Sequence, residues 1–291
     1  MNLYFDQLNR KIELPFPPKR IISLVPSQTE LLYDLGLRDE VLGITKFCIH
    51  PDEWFHSKTH IGGTKEIDFE KIKQLKPDLI IGNKEENEKG QIEQLMMDYK
   101  VWMSDIYTLK DALNMIVQVG TIVGKAQEAI NLKLQIEIVF KAIQAPPNLP
   151  KGEENQQTSQ TYGLTRYSSS PLGRLGGASV AYFIWRKPFM VAGCNTFIND
   201  MLNHCGFNNV FATSDSIRYP EVSEQQISEV KPEVILLSSE PYPFKEKHIE
   251  ELKTICPEAK IIIVDGELFS WYGSRLLQAP AYFEKIRETV E

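Results

Sequence analysis

Two stretches of this chain repeat one pattern. EKIKQLKPDLII, residues 70–81, and QQISEVKPEVIL, residues 225–236, each run polar and apolar at helical spacing, then Lys-Pro-acidic, then a continuous aliphatic run. Each copy carries a start signal. Asp68 before the first helix and Ser223 before the second offer a short side-chain oxygen to the free amides of a first turn, and Gln226 completes a capping box with Ser223. Proline lacks the amide and biases its predecessor to extended geometry, so the helices are expected to stop at Lys76-Pro77 and Lys231-Pro232. Leu79-Ile80-Ile81 and Val234-Ile235-Leu236-Leu237 then read as parallel strands covered on both faces.

The repetition extends upstream. Residues 29–36 and 199–206 both read as a helix closed by glycine, Gly36 and Gly206, which tolerates the left-handed conformation. Ile21-Ile22-Ser23-Leu24-Val25 is the strand expected before the first of these helices, and Ala181-Tyr182-Phe183-Ile184-Trp185 the strand before the second. The fold class that follows is α/β: two similar lobes with central, mainly parallel sheets, joined by a long α-helix, with a ligand cleft between the lobes. One large doubly wound sheet is the alternative, since helix-strand units resemble one another in any α/β protein. The expected organisation is an N-terminal lobe over 1–108, connecting helices over 109–145, a flexible polar loop over 146–177 and a C-terminal lobe over 178–291.

Between the lobes, 109–123 is amphipathic and Gly124 interrupts it. Residues 125–144 carry Ile130, Leu134 and Ile138 four apart, a spacing that predicts one buried helix face. A helix of that length spans about 30 Å, so it makes a stiff connection. The stretch after it has Pro146-Pro147 and a Gln/Ser/Thr-rich middle without apolar period, as a surface loop has. Tyr162, Arg166, Tyr167 and Arg174 suit a ligand lid; a solvated insertion explains the same composition.

A length of 291 residues accommodates two lobes with substantial cores, and a net charge of −7 argues against nucleic acid as the main partner. The longest apolar runs are of strand length, so no membrane-spanning helix is expected. Cys48, Cys194, Cys205 and Cys256 lack CxxC spacing and read as mostly unpaired thiols. The sequence contains no GxSxG, HExxH, GxxxxGK[ST] or post-strand GxGxxG motif; no catalytic residue is assigned and an enzyme is not expected.

Asp6, Leu8, Arg10, Ile12 and Leu14-Pro15, followed by Pro17-Pro18 and Arg20-Ile21-Ile22-Ser23-Leu24, resemble the opening of mature substrate-binding proteins of cobalamin and ferric-siderophore ABC importers. The doubled Lys-Pro unit and Trp271-Tyr272-Gly273-Ser274-Arg275 are similar to that helical-backbone (class III) family as well. The resemblance covers nearly the whole chain apart from 151–177. It implies a cleft holding a large, flat, metal-bearing ligand such as a corrinoid, haem or ferric siderophore with little closure on binding, and no intrinsic cofactor. A flat macrocycle wants aromatic faces and a few polar groups at its rim.

Candidate ligand-binding residues lie at the ends of the expected strands, where α/β sheets place ligands. From the first lobe these are Pro26, Ser27 and Thr29, then Phe47, Thr64 and Lys65; from the second they are Trp185, Arg186, Asn195, Tyr219, Trp271, Tyr272 and Arg275. By the resemblance, Phe47 and Tyr219 match corrinoid-contacting aromatics, while Thr64 stands where such a receptor can carry tryptophan. Core or lobe-interface packing accounts equally well for Phe47 and Tyr219.

Cys48, His50, His56 and His60 cluster in one short loop, and thiolate and imidazole are good ligands for zinc, copper or cobalt. Their spacing matches no structural-zinc pattern, and a loop packed on Trp54 explains the stretch as well. His50 ligating a metal already inside a bound chelate is the favoured metal role.

In the resembled family each lobe presents a carboxylate near the repeated helix start to arginines on the permease, docking by complementary charge. Glu70 holds that position in the first lobe; in the second it is Gln225, with Glu224 just before it. Two readings follow: a non-catalytic binding protein for ABC-type import, or a cytosolic carrier of tetrapyrroles or metal chelates that docks to no permease. Met1-Asn2-Leu3-Tyr4-Phe5-Asp6 has no basic and apolar leader, which suits a cytoplasmic protein; a removed or missed leader would make it periplasmic or cell-surface. A monomer is expected.

Overall fold

The computed structural model describes residues 1–144, 177–213 and 217–290. The 146–177 loop, with Tyr162, Arg166, Tyr167 and Arg174, lies almost wholly outside them. The chain opens with an antiparallel hairpin, β1 (Asn2–Phe5) and β2 (Lys11–Leu14). The N-terminal lobe follows as β3 (Ile21–Ser23), α1 (Pro26–Asp34), β4 (Val41–Ile44), α2 (Asp52–Ser57), β5 (Thr59–His60), α3 (Phe69–Leu75), β6 (Leu79–Asn83), α4 (Lys89–Asp98) and β7 (Val101–Ser104). Its five strands form one parallel sheet in the order β5-β4-β3-β6-β7.

Helices α5 (Leu109–Ile122) and α6 (Ala126–Gln144) lead to the C-terminal lobe. There the order is β8 (Ser179–Trp185), β9 (Phe189–Val191), α7 (Phe197–His204), β10 (Asn208–Asn209), β11 (Glu221–Val222), α8 (Glu224–Val230), β12 (Val234–Ser238), α9 (Glu246–Ile255) and β13 (Lys260–Val264). A short α10 (Glu267–Ser270), a 3-10 turn over Ser274–Leu277 and α11 (Ala279–Val290) close the described chain. Strands β8, β10, β12 and β13 are parallel; β9 and β11 add an antiparallel edge.

The repeat is visible in three dimensions. β6 pairs with β3 in one lobe as β12 pairs with β8 in the other, both parallel. The caps are as expected: Asp68 accepts from the Lys71 amide, and Ser223 and Gln226 form the capping box. The acidic residue after each proline ties the unit to the neighbouring strand. Asp78 accepts from the Lys19 and Arg20 amides at 2.8 and 2.9 Å, and Glu233 accepts from the Ser179 amide at 2.6 Å. That bond holds the Glu233 carboxyl below the usual range, because hydrogen bonds to the charged form favour it.

Two expectations are corrected. Lys76 and Lys231 are not extended but left-handed, with φ of 46° and 44°. Proline disfavours the right-handed helical region for its predecessor, and the left-handed one also ends a helix. In the first copy the Lys76 amide still returns to Ile72 O, while the Arg20 guanidinium collects the Leu75 and Lys76 carbonyls.

The second correction concerns α6. Ile130, Leu134 and Ile138 are 40%, 50% and 65% exposed, and the buried stripe is Ala129, Leu132, Ile136, Phe140 and Ile143. Close approach at the α5-α6 corner sets the rotation, since a Cβ on Gly120 would stand 2.2 Å from the Ala129 Cβ. Turning that small pair inward carries the 130/134/138 row outward. At 19 residues α6 spans about 28 Å, and it packs on α5, α7, α11 and the 3-10 turn.

One apolar core runs without interruption from the N-terminal sheet through α5 and α6 to Val180, Tyr182 and Leu236 of the second sheet. The alternate residues of those strands, Ala181, Phe183, Ile235 and Leu237, face a second cluster under α8 and α9. A continuous core makes the lobes one packed body, and a stiff one.

Candidate ligand-binding cleft

The carboxyl ends of both sheets face a cavity of about 550 Å³, within the range that holds small molecules and cofactors. Pro26 and Ser27 bring the start of α1 to its wall. Phe47 and Ile49 come from the loop after β4, and Thr64 and Lys65 from the loop after β5. The second lobe supplies Ile184, Ile198, Tyr219, Ser270 and Trp271. Pro26, Ser27, Phe47, Thr64, Lys65, Tyr219 and Trp271 of the sequence-derived set are therefore brought together.

The remaining candidates lie outside the cavity wall. Thr29 is buried one turn into α1, donating to the Val25 carbonyl at 2.9 Å and Ser23 Oγ at 2.8 Å. Trp185, at the strand end, packs edge-on against Tyr242, and Arg186 forks onto Glu251. Asn195 occupies an exposed left-handed position before α7. Tyr272 is buried in the core against Phe197. Arg275 bridges the lobes, holding Glu30 at 2.6 and 3.0 Å and Glu267 at 2.6 Å. The reason is common to these last two: Gly273 lies so close to the Ser27 carbonyl that a Cβ would stand 2.5 Å from it, so the segment is clamped on α1. Only Trp271 of this segment is left at the cavity.

The Cys48-His60 loop does not converge. Cys48 is buried between Thr29 and Thr45, and burial pushes its thiol up despite those hydroxyls. His56 sits 3.3 Å from Asp52 at the surface, and His60 Nε2 is 2.8 Å from the Phe55 carbonyl. His50 lies on the seam between lobes, Nε2 3.3 Å from Glu267 Oε2 and its ring edge-on to Trp271. Glu70, Glu224 and Gln225 are exposed at the starts of α3 and α8, with Gln225 donating to Glu229 at 2.8 Å.

Sequence reading missed the acidic side of the cleft. Glu85 and Glu86 follow β6 and Glu240 follows β12, and all three line the cavity. The signal was present: continued past the strands, the repeat aligns Glu85 with Glu240, each nine residues beyond its Lys. Arg218, also missed, pairs with Glu85 at 2.6 Å and lies 4.5 Å over the Tyr107 ring, a second link across the seam. Burial first, then Glu85 and Glu240, pushes the Glu86 carboxyl up to about 7. Burial likewise raises Glu240, against the bonds it accepts from Ser270 Oγ at 2.8 Å and Trp271 Nε1 at 2.9 Å. Tyr219 is raised by burial and by the neighbouring Glu85.

Comparison with known proteins agrees with this architecture. The family described as periplasmic binding protein matches residues 21–146. A vitamin B12-binding protein of Vibrio vulnificus is 29% identical over 224 residues, covering 76% of this chain and 72% of its own length. An uncharacterized ABC transporter substrate-binding lipoprotein of Bacillus subtilis is 24% identical over 297 residues, 98% of this chain and 84% of that protein. Among solved structures, the periplasmic heme-binding protein RhuT from Roseiflexus superposes with a TM-score of 0.73 at 20% identity, over 94% of this chain and 99% of that one. Doubled sheets, a helical connection, a cleft at the strand ends and these relatives together agree with the resemblance to periplasmic binding proteins of the helical-backbone class.

Proposed function

We propose that this chain is the non-catalytic binding component of an ABC importer and that its cleft holds a metal chelate, a corrinoid first, with haem and ferric siderophores as the related candidates. The observation that carries the reading is the aromatic lining contributed by both lobes: Phe47, 52% exposed, from one, and Tyr219 and Trp271 from the other. Aromatic faces suit a flat macrocycle, and the rim of Ser27, Thr64 and Lys65 suits its peripheral amides. The relatives named for vitamin B12 and heme binding support the ligand class, and the substrate-binding lipoprotein supports the transport role and a site of action outside the cytoplasmic membrane. No helix among the described residues is long and apolar enough to cross a membrane.

Absorption titration of the purified protein with aquocobalamin, cobinamide, haemin and a ferric siderophore tests the reading. A saturable band shift is expected with at least one of them, and His50→Ala reports whether imidazole replaces an axial water. Tyr219→Ala and Trp271→Ala are each expected to weaken binding about tenfold or more, by loss of buried aromatic area. Wild-type affinity in both variants would show that the ligand sits elsewhere.

Docking to the permease is assigned to Glu70 and the Glu224/Gln225 region, the exposed starts of the two repeated helices. Glu70→Lys is expected to reduce transport with chelate affinity retained, because it reverses a charge remote from the cavity wall. Equal transport rates for variant and wild type would remove Glu70 from the interface.

A further inference from the structure

Among the described residues the cleft is lined by three carboxylates, Glu85, Glu86 and Glu240, against a single ammonium, Lys65. One of these four charges is already answered within the protein: Glu85 is paired with Arg218 at 2.6 Å, while Lys65 Nζ donates to the neutral Glu85 carbonyl at 2.6 Å and keeps its charge. Glu240 is held by neutral donors, Ser270 and Trp271. Among the described residues neither Glu86 nor Glu240 has a cation within ion-pair distance. The two come from opposite lobes, at the ends of β6 and β12, and each sits at the cavity wall.

We propose that Glu86 and Glu240 select the ligand by charge, so that the cleft takes a cationic chelate of the corrinoid type in preference to a neutral one and disfavours a chelate with free carboxylates, such as haem. This rests on the reading of the cleft as a chelate site. The opposing influence is the start of α1, whose first residues Pro26 and Ser27 reach the wall, Ser27 with a backbone N–H and Pro26 without one. A helix N-terminus carries about half a positive charge, and together with Lys65 that still falls short of two ionised carboxylates. Its free N–H groups suit the neutral amide oxygens of a corrin periphery. Haem propionates, in contrast, would meet carboxylates from both lobes, with the one Lys65 ammonium to answer them. The elevated Glu86 carboxyl agrees with the geometry: Glu85 and Glu240 repel its charge more than Lys65 attracts it, with Tyr219 and Tyr272 also within its field. A cation bound in the cleft would relieve that repulsion.

Aquocobalamin and cyanocobalamin share one corrin and one nucleotide loop but differ in charge, which makes their affinity ratio the appropriate measurement. At pH 7.5, above the value of about 7 to which Glu86 is pushed, and at low ionic strength the protein is expected to bind aquocobalamin about tenfold more tightly than cyanocobalamin, with haemin weakest. The Glu86→Gln/Glu240→Gln double variant keeps the acceptor for Ser270 and Trp271 and should bring the ratio close to one. A preference that arose from a protein ligand to cobalt would survive the double variant unchanged, and that result overturns the proposal. So does haemin binding more tightly than both corrinoids. Should the double variant fail to fold, the wild-type ratio must still fall towards one as salt is raised to about 0.5 M, where screening acts over a few ångströms; a salt-independent ratio is equally fatal. If none of the three chelates binds the wild type, the chelate reading itself fails, an outcome distinct from any change of ratio.

Discussion

Arg275→Ala is expected to lower the unfolding free energy by about 3 kcal/mol, as removal of one member of a buried ion pair typically does. The guanidinium is only 12% exposed and answers two carboxylates that are themselves 14% and 16% exposed, Glu30 from α1 and Glu267 from α10. It also lies 4.7 Å over the Trp271 ring, so its loss reaches the cavity wall. Without it, two carboxylates from different lobes are left together across the seam. Arg275→Lys should not restore the wild-type value, because an ammonium cannot fork onto Glu30 and reach Glu267 as well. Burial already raises the Glu267 carboxyl, against the pull of Arg275 and His50. Removing Arg275 raises it further, so the destabilisation should shrink between pH 8 and pH 5 as Glu267 takes up a proton. Urea midpoints at the two pH values measure both effects. A variant within about 0.5 kcal/mol of wild type at pH 8 would mean the bridge does not hold the lobes.

Glu86→Gln is expected to stabilise the empty protein at pH 8 by about 2 kcal/mol and to flatten its pH profile. Burial, then Glu85 and Glu240, push the folded carboxyl up to about 7 from the ordinary 4.5. Between those values the folded chain holds a proton that the unfolded chain has released, so this group's contribution is fully present below pH 4.5 and is lost as pH rises through 7. The full shift would give more than 3 kcal/mol; the carboxyl is only partly buried at the wall of an open cleft, and solvent screening reduces the effect. Glutamine cannot ionise, so the difference between variant and wild type should be small at pH 5 and grow to its limit by pH 8. The same difference at both pH values would show that Glu86 is not the titrating group.

Much of the fold was legible because it is written in local chemistry. The caps at Asp68 and Ser223, the glycine stops at Gly36 and Gly206, and the aliphatic strands at 79–81 and 234–237 depend on residues within one turn of each other. The repeat then made each lobe a check on the other. Where reading failed, the deciding contact was distant in sequence. A row of Ile130, Leu134 and Ile138 has helical period, and period alone cannot say which of two adjacent rows turns inward; Gly120 against Ala129 did.

The candidate site divides in the same way. Seven of the residues expected from strand ends share one cavity, because both sheets deliver their carboxyl ends there. Tyr272 and Arg275 are drawn away by the clamp of Gly273 on Ser27, a backbone approach between elements some 240 residues apart that no local pattern encodes.

Residues close together in the chain specify the two lobes, their strands and caps, and the strand ends that line the cleft, since those follow from hydrogen bonds and periodicities that act over a few residues. Only the tertiary structure decided the charge of the cleft. Glu85 is neutralised by Arg218, 133 positions away, while Glu86 and Glu240 are left facing the cavity from opposite lobes. Electrostatic fields act through space and grow as burial removes water, so their balance exists only once the lobes are packed together.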